Sequence, residues 1–202
     1  MTEYSRRRFL GIAVAAASAE IRSPAARADE TPARIAPLLL DRAQQALQRH
    51  ADRIPQRDVM GIADFSHPSS ARRFQVLNLR DGSVTAYLVA HGRGSDPAHT
   101  GWLQHFSNEL HSNATSKGAY LTGSPYVGAH GRSLRLSGLE ASNSNAEPRA
   151  IVVHAAWYVS AQMARDHGII GRSDGCFALA QESLDDVLHA LGPGHLIYAD
   201  KI

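Results

Sequence analysis

From Val59 to the C-terminus the chain breaks into short apolar runs, at strand length and strand period, separated by turn residues. A segment of four to seven such residues cannot bury its apolar side alone, so most of the chain must pair into sheet. Val59 to Phe65 and Phe74 to Leu79 are two such runs. Arg80-Asp81-Gly82-Ser83 then separates the second from a third, Val84 to Ala90, and Asp-Gly between two strand patterns predicts a hairpin. Ala119–Thr122, Ser133–Leu136, Ile151–His154 and His195–Ala199 read as further strands. Helical spacing occurs in three places. Leu39, Ala43, Ala46 and Leu47 lie on one face of a helix over Leu38–Asp52, with Pro37 suited to its first turn. Ser160–His167 and the run Leu184, Val187, Leu188, Leu191 before Gly192-Pro193-Gly194 are the others. The expected class is therefore β-rich α+β with a few short helices.

Charge removes one class of function. Five of the 21 basic residues (Arg6, Arg7, Arg8, Arg22, Arg27) and two of the 19 acidic ones (Glu3, Glu20) lie in the first 28 positions, which leaves 16 basic and 17 acidic residues beyond them. A segment with that balance, and with no Lys/Arg cluster interleaved with aromatics, offers a nucleic acid no electrostatic footprint. The first 28 residues have a pattern of their own. Ser5-Arg6-Arg7-Arg8-Phe9-Leu10 precedes a short, weakly apolar stretch and then Ala26-Arg27-Ala28. A charged start, an apolar middle and a small-residue cleavage site make a secretory signal, and Ser-Arg-Arg-x-Phe-Leu resembles the twin-arginine type. Residues 1–28 are expected to direct export to the periplasm or cell envelope, 29–37 to be a linker, and 38–202 to form the functional domain. The apolar stretch of the signal is too short to span a bilayer, so no stable membrane anchor is expected after processing.

An exported chain with one cysteine has no disulfide partner within itself. Most free cysteines are small buried hydrophobes. Here Cys176 follows Ser173-Asp174-Gly175, at the end of an irregular segment and shortly before an expected helix. A thiol becomes a strong nucleophile when a base takes its proton, and histidine is the usual base. His154, at the end of the apolar run Ala150-Ile151-Val152-Val153, is the best placed of the 11 histidines.

His154-Ala155, then 17 residues, then Ser173-Asp174-Gly175-Cys176 resembles the signature of the L,D-transpeptidase catalytic domain (YkuD-type). Gly118-Ala119-Tyr120-Leu121-Thr122-Gly123, His130-Gly131-Arg132-Ser133-Leu134-Arg135-Leu136-Ser137-Gly138, Ala156-Trp157-Tyr158 and His91-Gly92-Arg93-Gly94-Ser95 are similar to the murein L,D-transpeptidase subgroup. The resemblance implies a β-sandwich and an acyl transfer on peptidoglycan stem peptides. Cys176 would be the nucleophile and form a thioester, with His154 as base and later acid. Ala155 would orient His154 through its carbonyl, Ser173 would brace the site, and the Gly175 and Cys176 N–H groups would face the oxyanion. His130, Arg132, Tyr120 and Trp157 would border the substrate. It also implies acylation of the cysteine by carbapenems, peptidoglycan as partner, and no metal or organic cofactor. In this chain Ala155 replaces the family's usual glycine, Asp174 stands at a position that is often histidine, and Ala178 replaces an arginine or asparagine. Two alternatives stay open on these residues: the acyl-enzyme passed to water (an L,D-carboxypeptidase), or a cell-wall-binding pseudoenzyme. His99, His105, His111 and His130 show no ligand-spaced pair, so a metal site is not expected.

Overall fold

A computed structural model describes Met1 and residues 34–202; the proposed signal and residues 29–33 lie outside the described residues. The first described element is α1 (Pro37–Arg49), with proline in its first turn and Leu39, Ala43, Ala46 and Leu47 buried. Ile35, within the stretch read as a linker, is buried as well. Helix α1 lies on one side of β1 (Val59–Asp64) and β9 (Leu196–Asp200), which run parallel. Strand alternation sorts their side chains. Met60, Ile62, Leu196 and Tyr198 pack with α1, whereas Ala63, Ile197 and Ala199 face the main core. Gly61 belongs to that inner set, where an added Cβ would sit 2.9 Å from Leu191 Cδ1.

The remaining strands are β2 (Phe74–Asn78), β3 (Val84–Tyr87), β4 (Val89–Ala90), β5 (Gly118–Gly128), β6 (Gly131–Gly138), β7 (Val152–Ala155) and β8 (Phe177–Leu179). They join one sheet in the order β3-β2-β1-β9-β5-β6-β7-β8-β4. Strands β2 and β8 are six ladder steps apart, on the order of 29 Å if the sheet were flat. Yet the rings of Phe74 on β2 and Phe177 on β8 have centroids only 6.4 Å apart. The sheet therefore rolls over until its two halves face each other as a sandwich, with Phe65, Phe74, Tyr120 and Phe177 between them. Helix α3 (Leu184–Ala190) adds Leu184, Val187 and Leu188 to this core. Helix α2 (Ala161–His167) follows Ser160, whose hydroxyl accepts from Met163 N–H, and ends at Gly168. Among the described residues no helix is long and apolar enough to cross a membrane.

A buried clasp holds the rolled ends together. Arg73, fully buried beside β2, donates from Nε and Nη2 to the Val89 carbonyl on β4 and from Nη1 to the His67 carbonyl. Its Nη2 also reaches His91 Nδ1 at 2.7 Å, and His91 Nε2 faces Asp96 Oδ2 at 3.4 Å. Burial, followed by the Arg73 charge, pushes His91 down to about 4, so the ring is neutral and accepts at Nδ1.

Several expected elements change. The run Val84–Ala90 is two strands: the chain leaves the edge at β3, turns at Leu88 and enters the opposite edge as β4, paired with β8. Tyr87-Leu88-Val89-Ala90 is an unbroken run without a polar or turn residue, so nothing in it marks the crossing. Strands β5 and β6 are longer than predicted and form a hairpin that closes with Gly128 opposite Gly131; Pro125 sits at a register irregularity where its missing N–H costs no ladder bond. Cys176 leads into strand β8, and the helix comes only after a further turn. The apolar tripeptide Phe177-Ala178-Leu179 is fully buried between β7 and β4, which favours pairing there.

Candidate active site

Strands β7 and β8 run parallel, with Val153 opposite Phe177 and His154 opposite Ala178. Cys176 thus enters the sheet next to Val152, two register positions from His154. The approach to Cys176 is tied down on both sides. Ser173 N–H donates to the His91 carbonyl at 2.9 Å, and Arg93 N–H donates to the Ser173 carbonyl at 2.7 Å. The clasp around His91 is therefore one residue from the strip that holds the cysteine loop.

Within that loop the Ser173 hydroxyl donates to the Cys176 carbonyl at 2.7 Å and accepts from Gly175 N–H at 3.2 Å. This braces the turn, and it also engages the Gly175 N–H inside the loop, away from the oxyanion role read for it from the sequence. Gly175 has φ +117°, and a Cβ there would lie 2.7 Å from the Ala114 carbonyl oxygen. Gly175→Ala is expected to cost about 1–3 kcal/mol, read as a lower Tm in thermal unfolding. An unchanged Tm would mean the loop relaxes freely.

The Cys176 side chain is 9% exposed. Its thiol faces the Ala150 carbonyl at 3.6 Å. Ala150 presents that carbonyl from a left-handed conformation, φ +51°, which alanine rarely adopts. Burial pushes the Cys176 thiol up, the Val152 N–H pulls it down, the Asp174 charge pushes it up and Arg149 pulls it down. Asp174 is paired with Arg93 at 2.7 Å, so part of its charge is answered before it reaches the sulfur.

His154 is 2% exposed and makes one hydrogen bond that sets its tautomer. Nδ1–H donates to the carbonyl of Ala155 at 2.8 Å, which leaves Nε2 unprotonated. Desolvation holds the ring below the ordinary histidine range, the Ala155 bond works the other way, and nearby His130 adds to the depression. His130 comes from the β5–β6 turn and stacks on His154 with centroids 4.3 Å apart and planes 20° apart. A neutral base beside a neutral thiol is the resting state these environments favour.

The residues expected to border a substrate divide. His130 stacks on His154, whereas Trp157 is 85% exposed and meets Tyr158 edge-on. Tyr120 does not face a substrate: it is fully buried, its hydroxyl donates to the Ser116 carbonyl at 2.8 Å, and its ring meets Phe177 edge-on. The adjacent Ala119 and Leu121 face the other side of β5, in the cluster that packs with α1. Arg132 is exposed and paired with Asp185 on α3. Arg135 covers the ring of Tyr126. Among the described residues no group of three or more His, Cys, Asp or Glu could hold a metal ion.

Arg149 is the residue that sequence reasoning missed. Its Nη1 donates to the Ser107 carbonyl at 2.8 Å and the Ser116 hydroxyl at 2.6 Å, and its Nη2 donates to the Ala114 carbonyl. A Cβ on Gly175 would lie 2.9 Å from Nη2, so the guanidinium packs directly against the cysteine loop. Its partners are at least 33 residues away along the chain, and no local motif signals them.

A family model described as the L,D-transpeptidase catalytic domain matches residues 32–199. No curated protein matches the chain. Among solved structures, an L,D-transpeptidase from Mycobacterium smegmatis is similar at 16% identity and TM-score 0.42, covering 71% of this chain and 58% of its own. The L,D-transpeptidase LdtMt1 in complex with imipenem is 17% identical, TM-score 0.42, covering 71% and 59%. The helical cell shape determining protein Pgp2 of Campylobacter jejuni is 10% identical, TM-score 0.47, covering 83% and 57%. The chain thus spans less than two thirds of each of these structures.

Proposed function

Because the chain belongs to the L,D-transpeptidase catalytic domain family, we propose that it is an exported cysteine L,D-transpeptidase of the cell envelope, working on peptidoglycan stem peptides through a thioester. The observation that carries this reading is the His154 tautomer. The Ala155 carbonyl holds Nδ1–H and leaves Nε2 free as a proton acceptor, one strand across from a cysteine in a braced loop. In the proposed reaction Nε2 takes the thiol proton as Sγ attacks the carbonyl between the third and fourth stem residues. The C–N bond breaks, the proton passes to the leaving amine, and the acyl group remains on sulfur. An acceptor amine then attacks the thioester and gives its proton to Nε2, the C–S bond breaks, and Nε2 returns the proton to sulfur to restore the thiol. The proposed signal in residues 1–28 would deliver the folded domain to its wall substrate. Incubation of purified protein with muropeptides tests the reading: a new cross-link supports it, and release of the fourth residue without one assigns a carboxypeptidase.

A second reading, a wall-binding domain without turnover, is favoured by one observation: burial and Asp174 both push the Cys176 thiol up. Here the two readings part in their pH dependence. Protonation of His154 removes the base, and since its ring titrates below 6.5, acylation should persist to pH values under 6.5. The thiol ionises above its ordinary 9.0, so direct alkylation of Cys176 by iodoacetamide should still be climbing past pH 9. An alkylation midpoint near neutrality would show a preformed thiolate and contradict the neutral resting pair.

A further inference from the structure

Two hollows adjoin the cysteine loop. One, of roughly 180 Å³, is lined by Leu110, His111, Asn113, Pro148, Arg149 and Asp174. The other, of roughly 330 Å³, includes Arg93, Arg172 and again Asn113 in its walls. Three guanidinium groups therefore border the two hollows, against a single carboxylate. That carboxylate, Asp174, is taken by Arg93 at 2.7 Å. The other two arginines have only neutral partners among the described residues. Arg149 donates to two carbonyls and a hydroxyl, and Arg172 donates to the carbonyls of Asp96 and Pro97. Neutral acceptors orient a guanidinium without cancelling its charge, and Arg149 is partly desolvated. A half-buried cation held in place with its charge unanswered is poised for an anion.

We propose that the smaller hollow is an anion subsite that takes a carboxylate of the ligand, with Arg149 as the principal charge and Arg172, in the wall of the hollow on the other side of Asn113, adding to the local positive field. The subsite deepens the proposed reaction, and it rests on that reading for the ligand's identity as a stem peptide carrying free carboxylates. The smaller hollow has room for an amino-acid headgroup, about six water volumes. Arg149, in the wall of that hollow, packs against Gly175, one residue before Cys176. It brings a cation to the cysteine loop from the segment before β7.

The test uses the full purified chain and two probes of equal shape, N-acetyl-D-alanine and N-acetyl-D-alaninamide, titrated while the Arg149 Nε–H and Asn113 side-chain amide resonances are followed. The acid is expected to bind at least about tenfold more tightly than the amide, a charge-assisted bidentate contact, with the preference falling in high salt. Arg149→Gln should erase the preference and Arg149→Lys should keep part of it. A role confined to tethering the Ser107–Ser116 segment would change both probes alike. If Arg149→Gln fails to fold, the wild-type preference and the Arg172→Gln variant, which should weaken it, still decide. Equal binding of acid and amide by the wild type, or no shift with either at saturating concentration, overturns the subsite. Selectivity without cross-linking of muropeptides would remove the proposed reaction and leave the subsite standing; cross-linking without selectivity would do the reverse.

Discussion

Replacing His154 with alanine is expected to slow acylation of Cys176 by imipenem at pH 7 by about 10²-fold or more, the usual worth of a positioned general base. The size follows from the resting state. With the thiol pushed up by burial, little thiolate exists at neutral pH, and almost every productive attack must begin with proton transfer to Nε2. The deficit should shrink as pH rises, because hydroxide then does the work of the missing ring. Acylation kinetics followed by intact-protein mass at pH 7 and at pH 10 read both effects. If His154→Ala reacts as fast as wild type at pH 7, the base is another group, and the tautomer set by Ala155 has no chemical consequence. His130 is the nearest other imidazole, stacked 4.3 Å away.

Arg73→Met is expected to cost about 3–5 kcal/mol, the range for removing one member of a buried charged network. The substitution keeps the apolar stem and removes the guanidinium, whose Cζ lies over the Phe65 ring at 4.9 Å from its centroid. Left behind in a dry interior are the Val89 and His67 carbonyls and His91 Nδ1 without a donor, and Asp64 and Asp96 without a cation they face. Since Arg73 and Val89 belong to opposite ends of the rolled sheet, its loss should open the sandwich at the seam. Chemical denaturation measures this directly; a loss under about 1 kcal/mol would mean that apolar packing alone closes the sheet. The strip His91–Arg93 holds Ser173 on both sides, so slower acylation should accompany the loss of stability.

Helix α1 was legible because it has one wet and one dry side, so the periodicity of burial is written in residue type; β1 and β2 are buried on both faces and were legible because polar and turn residues bound each run. The hairpin after β2 was equally plain, since Asp81 accepts from Ser83 N–H and Gly82 takes φ +75°. Strand β8 and the break at Leu88 were not legible. Both lie where apolar residues are buried on every side, and a run without polar interruptions carries no boundary. Glycine and proline in β5 and β6 read as breakers, although the irregularity at Pro125 lets the hairpin continue through them. At the site, Cys176 and His154 were marked by their spacing and neighbours. Tyr120 was marked too, but its motif position reflects a core contact with Ser116 and Phe177. Arg149 had no mark at all, because its significance arises only when the segment 107–116 folds over it.

The central claim is that Cys176 is a nucleophile able to form an acyl-enzyme. Carbapenems present a strained carbonyl to such a thiol. Intact-protein mass spectrometry of the purified chain after incubation with imipenem therefore tests it most directly. The account predicts one adduct per chain for the wild type and none for Cys176→Ala, there being no other thiol in the sequence. An adduct that persists in Cys176→Ala, or a folded wild type that gains no mass, would contradict it.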